Sequence, residues 1–169
     1  MATFKLGRGF IIKRVFEAPQ DVVFQAWTDP EFLGWFFNPD AVADEPTVVD
    51  LRVGGQWRQK MMVDAEEEYF TGGVYREIVP HERLVFNWGA VGGWPGLDLN
   101  NLDDSPLVTL VLTPAGQRTE MSFRLQLPDH MTEARLREWM ESGMIDGWTQ
   151  TIDRLVTRYE RAVQQERVS

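Results

Sequence analysis

The longest helical pattern in this chain runs from Ser142 to about Gln165. Its apolar residues recur at spacings of three and four, which places them on one face of an α-helix. They are Met144, Trp148, Ile152, Leu155, Tyr159 and Val163. A stripe that begins with Met and Trp needs a broad apolar surface to pack against. We therefore expect the rest of the chain to form a sheet wrapped around this helix.

Strand patterns upstream can supply that surface. A β-rich stretch from Gly9 to Glu17 ends at Pro19, because proline cannot donate to a ladder. Six further strands are predicted between Pro46 and Leu127, where apolar and polar residues alternate. The alternation is clearest from Thr119 to Leu127, which indicates a sheet with one face toward the core and one toward water.

Three shorter helices are also predicted. The first runs from Pro19 to Thr28, and a second starts at Asp29-Pro30 and ends at Asn38-Pro39. A third, from Thr132 to Glu141, has Thr132 as its N-cap and leads into the long helix through Ser142-Gly143. The pattern does not decide whether these last two helices are continuous.

Composition limits the classes of partner. With 169 residues and 43% hydrophobic residues, the chain fits a single domain over 1–169 with its core at about 10–165. A net charge of −9 opposes binding to nucleic acid or to anionic membranes, and we expect neither. The absence of Cys excludes disulfides and thiolate metal sites and suits the cytoplasm. No run approaches membrane-spanning length, and no secretory leader is recognisable.

Two acidic or polar segments between the strands invite a metal-site hypothesis that we do not favour. The cluster at residues 64–68 is typical of a solvated hairpin turn. The segment from Gly89 to Ser105 is acidic but lacks the glycine and terminal Glu of an EF-hand loop. We expect no metal and no cofactor. Trp94-Pro95 in this segment is interpreted as an apolar lid over an opening in the fold.

The order of strand, two helices, six strands and helix resembles the helix-grip fold of the START-like (Bet v 1-like, SRPBCC) superfamily. More specifically, the chain resembles the branch of this superfamily that is related to the C-terminal domain of activators of the Hsp90 ATPase. The motifs that carry it are Phe16-Glu17-Ala18-Pro19, Val22-Phe24-Ala26-Trp27-Thr28-Asp29-Pro30, Trp35-Phe36, Asp50-Leu51-Arg52-Val53-Gly54-Gly55, Gly72-Gly73-Val74, Pro80-His81-Glu82-Arg83-Leu84-Val85-Phe86 and Gly147-Trp148. Two features depart from the family pattern: Met144-Ile145-Asp146 stands where relatives often have His, and the 89–105 segment is long.

The resemblance implies an α+β fold in which a curved antiparallel sheet grips the long C-terminal helix around an apolar cavity, with two short helices after the first strand. Met and Trp are common in adaptable apolar pockets, which supports such a cavity from the residues themselves. The candidate pocket residues are Trp27, Trp35, Trp57, Met61, Phe86, Trp88, Leu110, Phe123, Met144, Trp148 and Ile152. The alternative is that these side chains simply fill the core.

Polar anchors for a ligand are fewer. Asp50 and Arg52 lie two apart on a predicted strand and share a face, either as a surface ion pair or as interior anchors. Tyr69 and Glu77 share a face by the same count and could support acid–base chemistry. The two histidines lie in polar, turn-like contexts, and no nucleophile elbow or HExxH motif is present.

Three functions are compatible with these observations. The first, which we favour, is non-catalytic binding of a small apolar or amphipathic molecule, and it predicts an enclosed cavity of several hundred Å³ with few polar groups. The second is a protein-interaction module of the Hsp90-activator type, with an exposed apolar or charged patch and a filled core. The third is a cyclase- or hydrolase-like enzyme with a carboxylate inside the cavity. Monomer and homodimer both remain open.

Overall fold

A computed structural model describes residues 2–37, 47–62, 68–91, 98 and 100–168. The strands are β1 (Ala2–Leu6), β2 (Gly9–Phe16), β3 (Val48–Val49), β4 (Gln56–Met62), β5 (Glu68–Val79), β6 (Arg83–Val91), β7 (Leu107–Ala115) and β8 (Arg118–Gln126). The helices are α1 (Gln20–Thr28), α2 (Pro30–Phe37), α3 (Glu133–Met140) and α4 (Met144–Val168), with a 3₁₀ turn at Leu102–Asp104.

Within the described residues, eight strands form one antiparallel sheet in the order β1-β2-β8-β7-β6-β5-β4-β3. The register carries one row of apolar side chains straight across four strands, from Ile12 through Phe123 and Leu110 to Leu84. All four are buried. Residues that pair directly share a face, so this row defines the inner face of the sheet. The predicted α+β helix-grip fold is confirmed.

The long helix lies against this inner face, as its apolar stripe predicts. Trp148, Ile152 and Leu155 of α4 are buried with the apolar residues of the sheet. The α3 and α4 helices are separate, because Gly143 takes a positive φ of 85° between them. Thr132 caps α3 through its side-chain oxygen, which accepts from the Arg135 backbone N–H.

Two strand predictions need correction. The strand β1, which pairs with β2 at one edge of the sheet, was not predicted. Its exposed Phe4 lacks the buried alternation that marks an interior strand. The run from Val49 to Val53 is not a continuous strand either. Strand β3 ends at Val49. The chain then makes a tight turn in which the Gly55 N–H donates to the Arg52 carbonyl.

A β-bulge in β5 changes which side chains face the helix. The pairing with β6 shifts between Tyr75 and Glu77. Before the bulge Tyr75 faces the core, and after it Ile78 does, so Glu77 lies on the outer face. The Gly72-Gly73 pair instead marks a close approach of strands: a Cβ at Gly73 would lie 2.0 Å from the Asn87 carbonyl oxygen.

Candidate functional site

A small void lies between the inner face of the sheet, the short helices and α4. Its volume is about 10 Å³, and its walls are apolar or aromatic: Trp27, Leu33, Trp57, Tyr75, Leu84, Phe86 and Trp148. We call it the central void. A space of this size holds about one water, and an apolar lining gives that water few partners. This volume is far below the several hundred Å³ that the binding hypothesis predicts, although the lining itself favours apolar contact over polar recognition.

An aromatic network surrounds the central void, with the indole of Trp148 at its centre. Its ring centroid lies 4.8 Å from that of Phe123, 5.3 Å from Trp88 and 6.3 Å from Trp27. The planes are tilted or offset, which is the preferred geometry for aromatic pairs. Trp139 of α3 extends the network by contacting Trp88 at 6.0 Å. Trp148 therefore joins α4 to the sheet through ring contacts with Phe123 and Trp88.

One wall of the central void depends on a missing side chain. Gly73 pairs with Trp57 on one side and with Trp88 on the other, so this inner row has a glycine between two tryptophans. A Cβ at Gly73 would lie 2.6 Å from Nε1 of Trp57, which shows that the indole rests against the glycine backbone. The ring of Phe86 meets Trp57 edge-on at 5.6 Å. Trp57 thus occupies the space that a side chain at residue 73 would take.

In the described part of the lining, Tyr75 alone carries a hydroxyl group, and the sequence analysis did not name it. It is 1% exposed. Burial, with a smaller effect from the charge of Asp50, raises the pKa of its hydroxyl well above the ordinary value of 10.0. The group therefore stays protonated at neutral pH and can donate a hydrogen bond. Tyr75 precedes the bulge, so counting by two along the strand from Tyr69, which the sequence analysis did name, would have placed it on the same face.

Of the predicted pocket residues, Trp27, Trp57, Phe86 and Trp148 line the central void. Another four are buried in the core but do not line it: Leu110, Phe123, Met144 and Ile152. Trp88 is half-buried and donates from Nε1 to the Thr71 hydroxyl at 2.8 Å. The side chains of Trp35 and Met61, and the lid residues Trp94 and Pro95, lie outside the described residues. Leu33 and Leu84 were not predicted as lining residues, although Leu84 alternates with Phe86.

The predicted polar anchors are not brought to the central void. Asp50 and Arg52 form an ion pair of 2.8 Å on an exposed turn. Glu77 is exposed and pairs with Arg83 at 3.2 Å. This corrects the interior placement considered for these three residues, and the causes are the turn after β3 and the bulge in β5. The side chain of Tyr69 lies outside the described residues.

Two further findings bear on function. The described part of the chain contains no group of three or more Asp, Glu, His or Cys side chains arranged to hold a metal ion. Among its helices, none combines the length and apolar character that crossing a bilayer requires.

Comparison with known proteins gives a family match and several similar folds. The model of the family described as Activator of Hsp90 ATPase homolog 1-like protein matches residues 17–160. A search among curated proteins found no significant match.

Among solved structures, a protein from Arthrobacter aurescens is 20% identical over 95% of this chain and 92% of its own, with a TM-score of 0.77. A protein from Chromobacterium violaceum is 24% identical over 92% and 99%, with a TM-score of 0.66. An HSP90 activator from Plasmodium falciparum is 20% identical over 85% and 89%, with a TM-score of 0.58. At such identities these structures show a shared fold.

Proposed function

We propose that this chain, which belongs to the family of activator of Hsp90 ATPase homolog 1-like proteins, binds one small apolar or amphipathic molecule. The molecule lies between the sheet and α4, and no catalysis takes place. The observation that carries this proposal is the central void, whose lining is apolar and largely aromatic. Most small-molecule sites share this character: an apolar concavity with few polar groups. We further propose a single domain located in the cytoplasm, in keeping with the absence of cysteine.

A ligand larger than water must enlarge the central void, because its present volume is only about 10 Å³. Trp57 is the side chain best placed to move. Its indole rests against Gly73, where the sheet offers backbone and no side chain to interlock with it. Rotation of this indole would open space beside Phe86 while leaving α4 in place. The ligand we expect is therefore flat or narrow, comparable in size to an indole ring.

Polar recognition at this site would come from Tyr75. Its protonated hydroxyl can donate to an oxygen at the head of an amphipathic ligand. Among the described residues, those that line the central void include no carboxylate. An enzymatic function of the cyclase or hydrolase type needs such a group beside the substrate, so the lining supports binding over acid–base catalysis.

A calorimetric titration with indole, which matches the expected ligand in size, tests this proposal. Trp57→Phe shortens the ring over Gly73 and should enlarge the space, so we expect severalfold tighter binding of indole. Trp139→Phe is the matched control, since Trp139 is equally buried but does not line the central void. Equal affinities for both variants and the parent protein, or tighter binding only in Trp139→Phe, would contradict the proposal. Thermal unfolding of each variant verifies that it is folded.

A second function has an observation of its own. Three aliphatic side chains near the β3–β4 turn are exposed: Val48 at 55%, Leu51 at 42% and Val53 at 63%. Exposed apolar clusters mark protein contacts more often than chance. The family description and the Plasmodium falciparum neighbour both name Hsp90 activation. Stimulation of Hsp90 ATPase activity by this protein, lost in Leu51→Ser/Val53→Ser but kept in Trp57→Phe, would support this function instead.

A further inference from the structure

A second and larger pocket lies on the side of the sheet that faces away from α4. Its volume is about 340 Å³, and it is lined by Arg76, Val85, Asn87, Leu102, Asp103, Ser105, Leu107, Gln126, Leu127, Pro128 and Asp129. We call it the outer pocket. Small-molecule sites typically measure about 300–1,000 Å³, so this volume suits one small ligand. It shares no lining residue with the central void.

The floor of the outer pocket is a row across three strands. Asn87 of β6 pairs with Leu107 of β7, which pairs with Gln126 of β8. Asn87 is only 4% exposed although its side chain is polar. It is held from both ends: its Oδ1 accepts from Arg76 at 2.9 Å, and its Nδ2 donates to the Leu102 carbonyl at 3.1 Å. The floor is therefore fixed before any ligand arrives.

The two segments that wall the outer pocket are tied to each other and to the sheet. Asp104, the last residue of the 3₁₀ turn, lies 3.3 Å from Nε2 of His130 and 3.8 Å from Arg135. Arg8 donates to the Pro128 carbonyl at 3.2 Å. These contacts hold the segments at 102–106 and 127–130 over the outer face. A preformed site costs a ligand less conformational entropy on binding than one that must assemble.

Charges of both signs face this pocket. Within the described ranges the Arg76 side chain makes one hydrogen bond, to Asn87, so other guanidinium N–H groups can face a ligand. Asp103 and Asp129 form no ion pair with any residue in the described ranges. A dianion such as phosphate would be repelled by two carboxylates, and a simple cation would be repelled by Arg76. A molecule that carries one charge of each sign avoids both penalties.

We propose that the outer pocket binds a free α-amino acid with an apolar side chain. Its carboxylate lies against Arg76, since the planar guanidinium suits a carboxylate. Its ammonium group is neutralised by Asp103 or Asp129. Its side chain packs on Leu107 and the other apolar lining residues. This site is independent of the proposed ligand between the sheet and α4.

Calorimetric titration with L-leucine tests the proposal, with N-acetyl-L-leucine and L-leucinamide as analogues that each lack one charge. We expect saturable binding of L-leucine and affinities at least about tenfold lower for both analogues, because each loses a charge-assisted contact. Arg76→Gln should weaken L-leucine about tenfold, but it should leave L-leucinamide no weaker, because the ammonium group of L-leucinamide no longer faces the Arg76 cation. Arg83→Gln is the matched control, because Arg83 pairs with Glu77 outside the pocket and should leave all three affinities unchanged.

Location is read from backbone amide shifts in a ¹⁵N spectrum. We expect L-leucine to shift the amides of Asn87, Leu107 and Gln126 and to leave the Trp148 indole unshifted. The proposal is overturned by the absence of saturable L-leucine binding, by an Arg76→Gln effect that is equal for L-leucine and L-leucinamide, or by shifts confined to residues that line the central void.

Discussion

One ion pair fixes α4 to the second strand, and removing its two partners should have unequal effects. Arg14 lies on the inner face of β2, and its Nε is 2.6 Å from Oδ1 of Asp153 on α4. A second guanidinium nitrogen lies 3.4 Å from Oδ2. The side chain of Arg14 is 9% exposed, whereas that of Asp153 is 49% exposed. The cation is buried and the carboxylate is half in water.

Removal of one member of a fully buried pair costs about 3–5 kcal/mol. Water can reach this pair from the Asp153 side, and Arg14 also donates to the Lys13 carbonyl and the Thr3 hydroxyl, so we take about half of that value. Asp153→Ala should lower the free energy of unfolding by about 2 kcal/mol, or the Tm by about 4–8 °C. Arg14→Met keeps an apolar chain on an apolar face and leaves a carboxylate that water can solvate, so it should cost about 1 kcal/mol or less.

Urea unfolding of both single variants and the double variant Arg14→Met/Asp153→Ala measures these values. Once Arg14 is absent, the carboxylate has lost this partner, so the double variant should be about as stable as Arg14→Met alone. The reasoning is refuted if Arg14→Met costs more than Asp153→Ala, or if the two losses simply add.

Three more predictions follow from single residues. Gly73→Ala should lower the free energy of unfolding in urea by more than about 2 kcal/mol, because the new Cβ would lie 2.0 Å from the Asn87 carbonyl oxygen. A loss below about 0.5 kcal/mol would contradict the close approach of the two strands. Gly147→Ala should raise the free energy of unfolding by about 0.5–1 kcal/mol in the same assay. Residue 147 is an exposed helix position, and a Cβ there would meet nothing within 4 Å. A lower free energy of unfolding would contradict this prediction. Burial raises the pKa of Tyr75 above its ordinary value of 10.0. Its contribution to the free energy of unfolding should therefore be constant below pH 10 and should fall above it by up to about 1.4 kcal/mol per pH unit. The prediction is contradicted if Tyr75→Phe and the parent protein lose stability identically as the pH rises.

The sequence predicts those parts of the fold in which burial follows a regular period. The apolar stripe of α4 and the alternation in β8 both name the residues that the structure buries, such as Trp148 and Phe123. Both elements pack one face against the core, so the spacing of their apolar residues follows the period of a helix or of a strand. The edge strand β1 lacks an alternation of buried and exposed residues, because its neighbouring residues Thr3 and Phe4 are both exposed.

The candidate site is less predictable because it depends on irregular backbone. The bulge after Tyr75 reverses the side on which Glu77 lies, and counting by two cannot detect it. The tight turn after Val49 moves Asp50 and Arg52 outward in the same way. Aromatic residues could be named as pocket candidates from their type alone. Which of them line the central void depends on pairing partners far away in sequence.

Native mass spectrometry of the purified protein tests the central claim most directly, with Leu84→Phe and Leu110→Phe as matched variants. These residues pair across β6 and β7 and are both buried, but only Leu84 lines the central void. A ligand between the sheet and α4 predicts a stoichiometric small-molecule adduct, retained by Leu110→Phe and lost when Leu84→Phe fills the space. An adduct that survives Leu84→Phe, or a bare mass after incubation with small aromatic compounds, would contradict the claim.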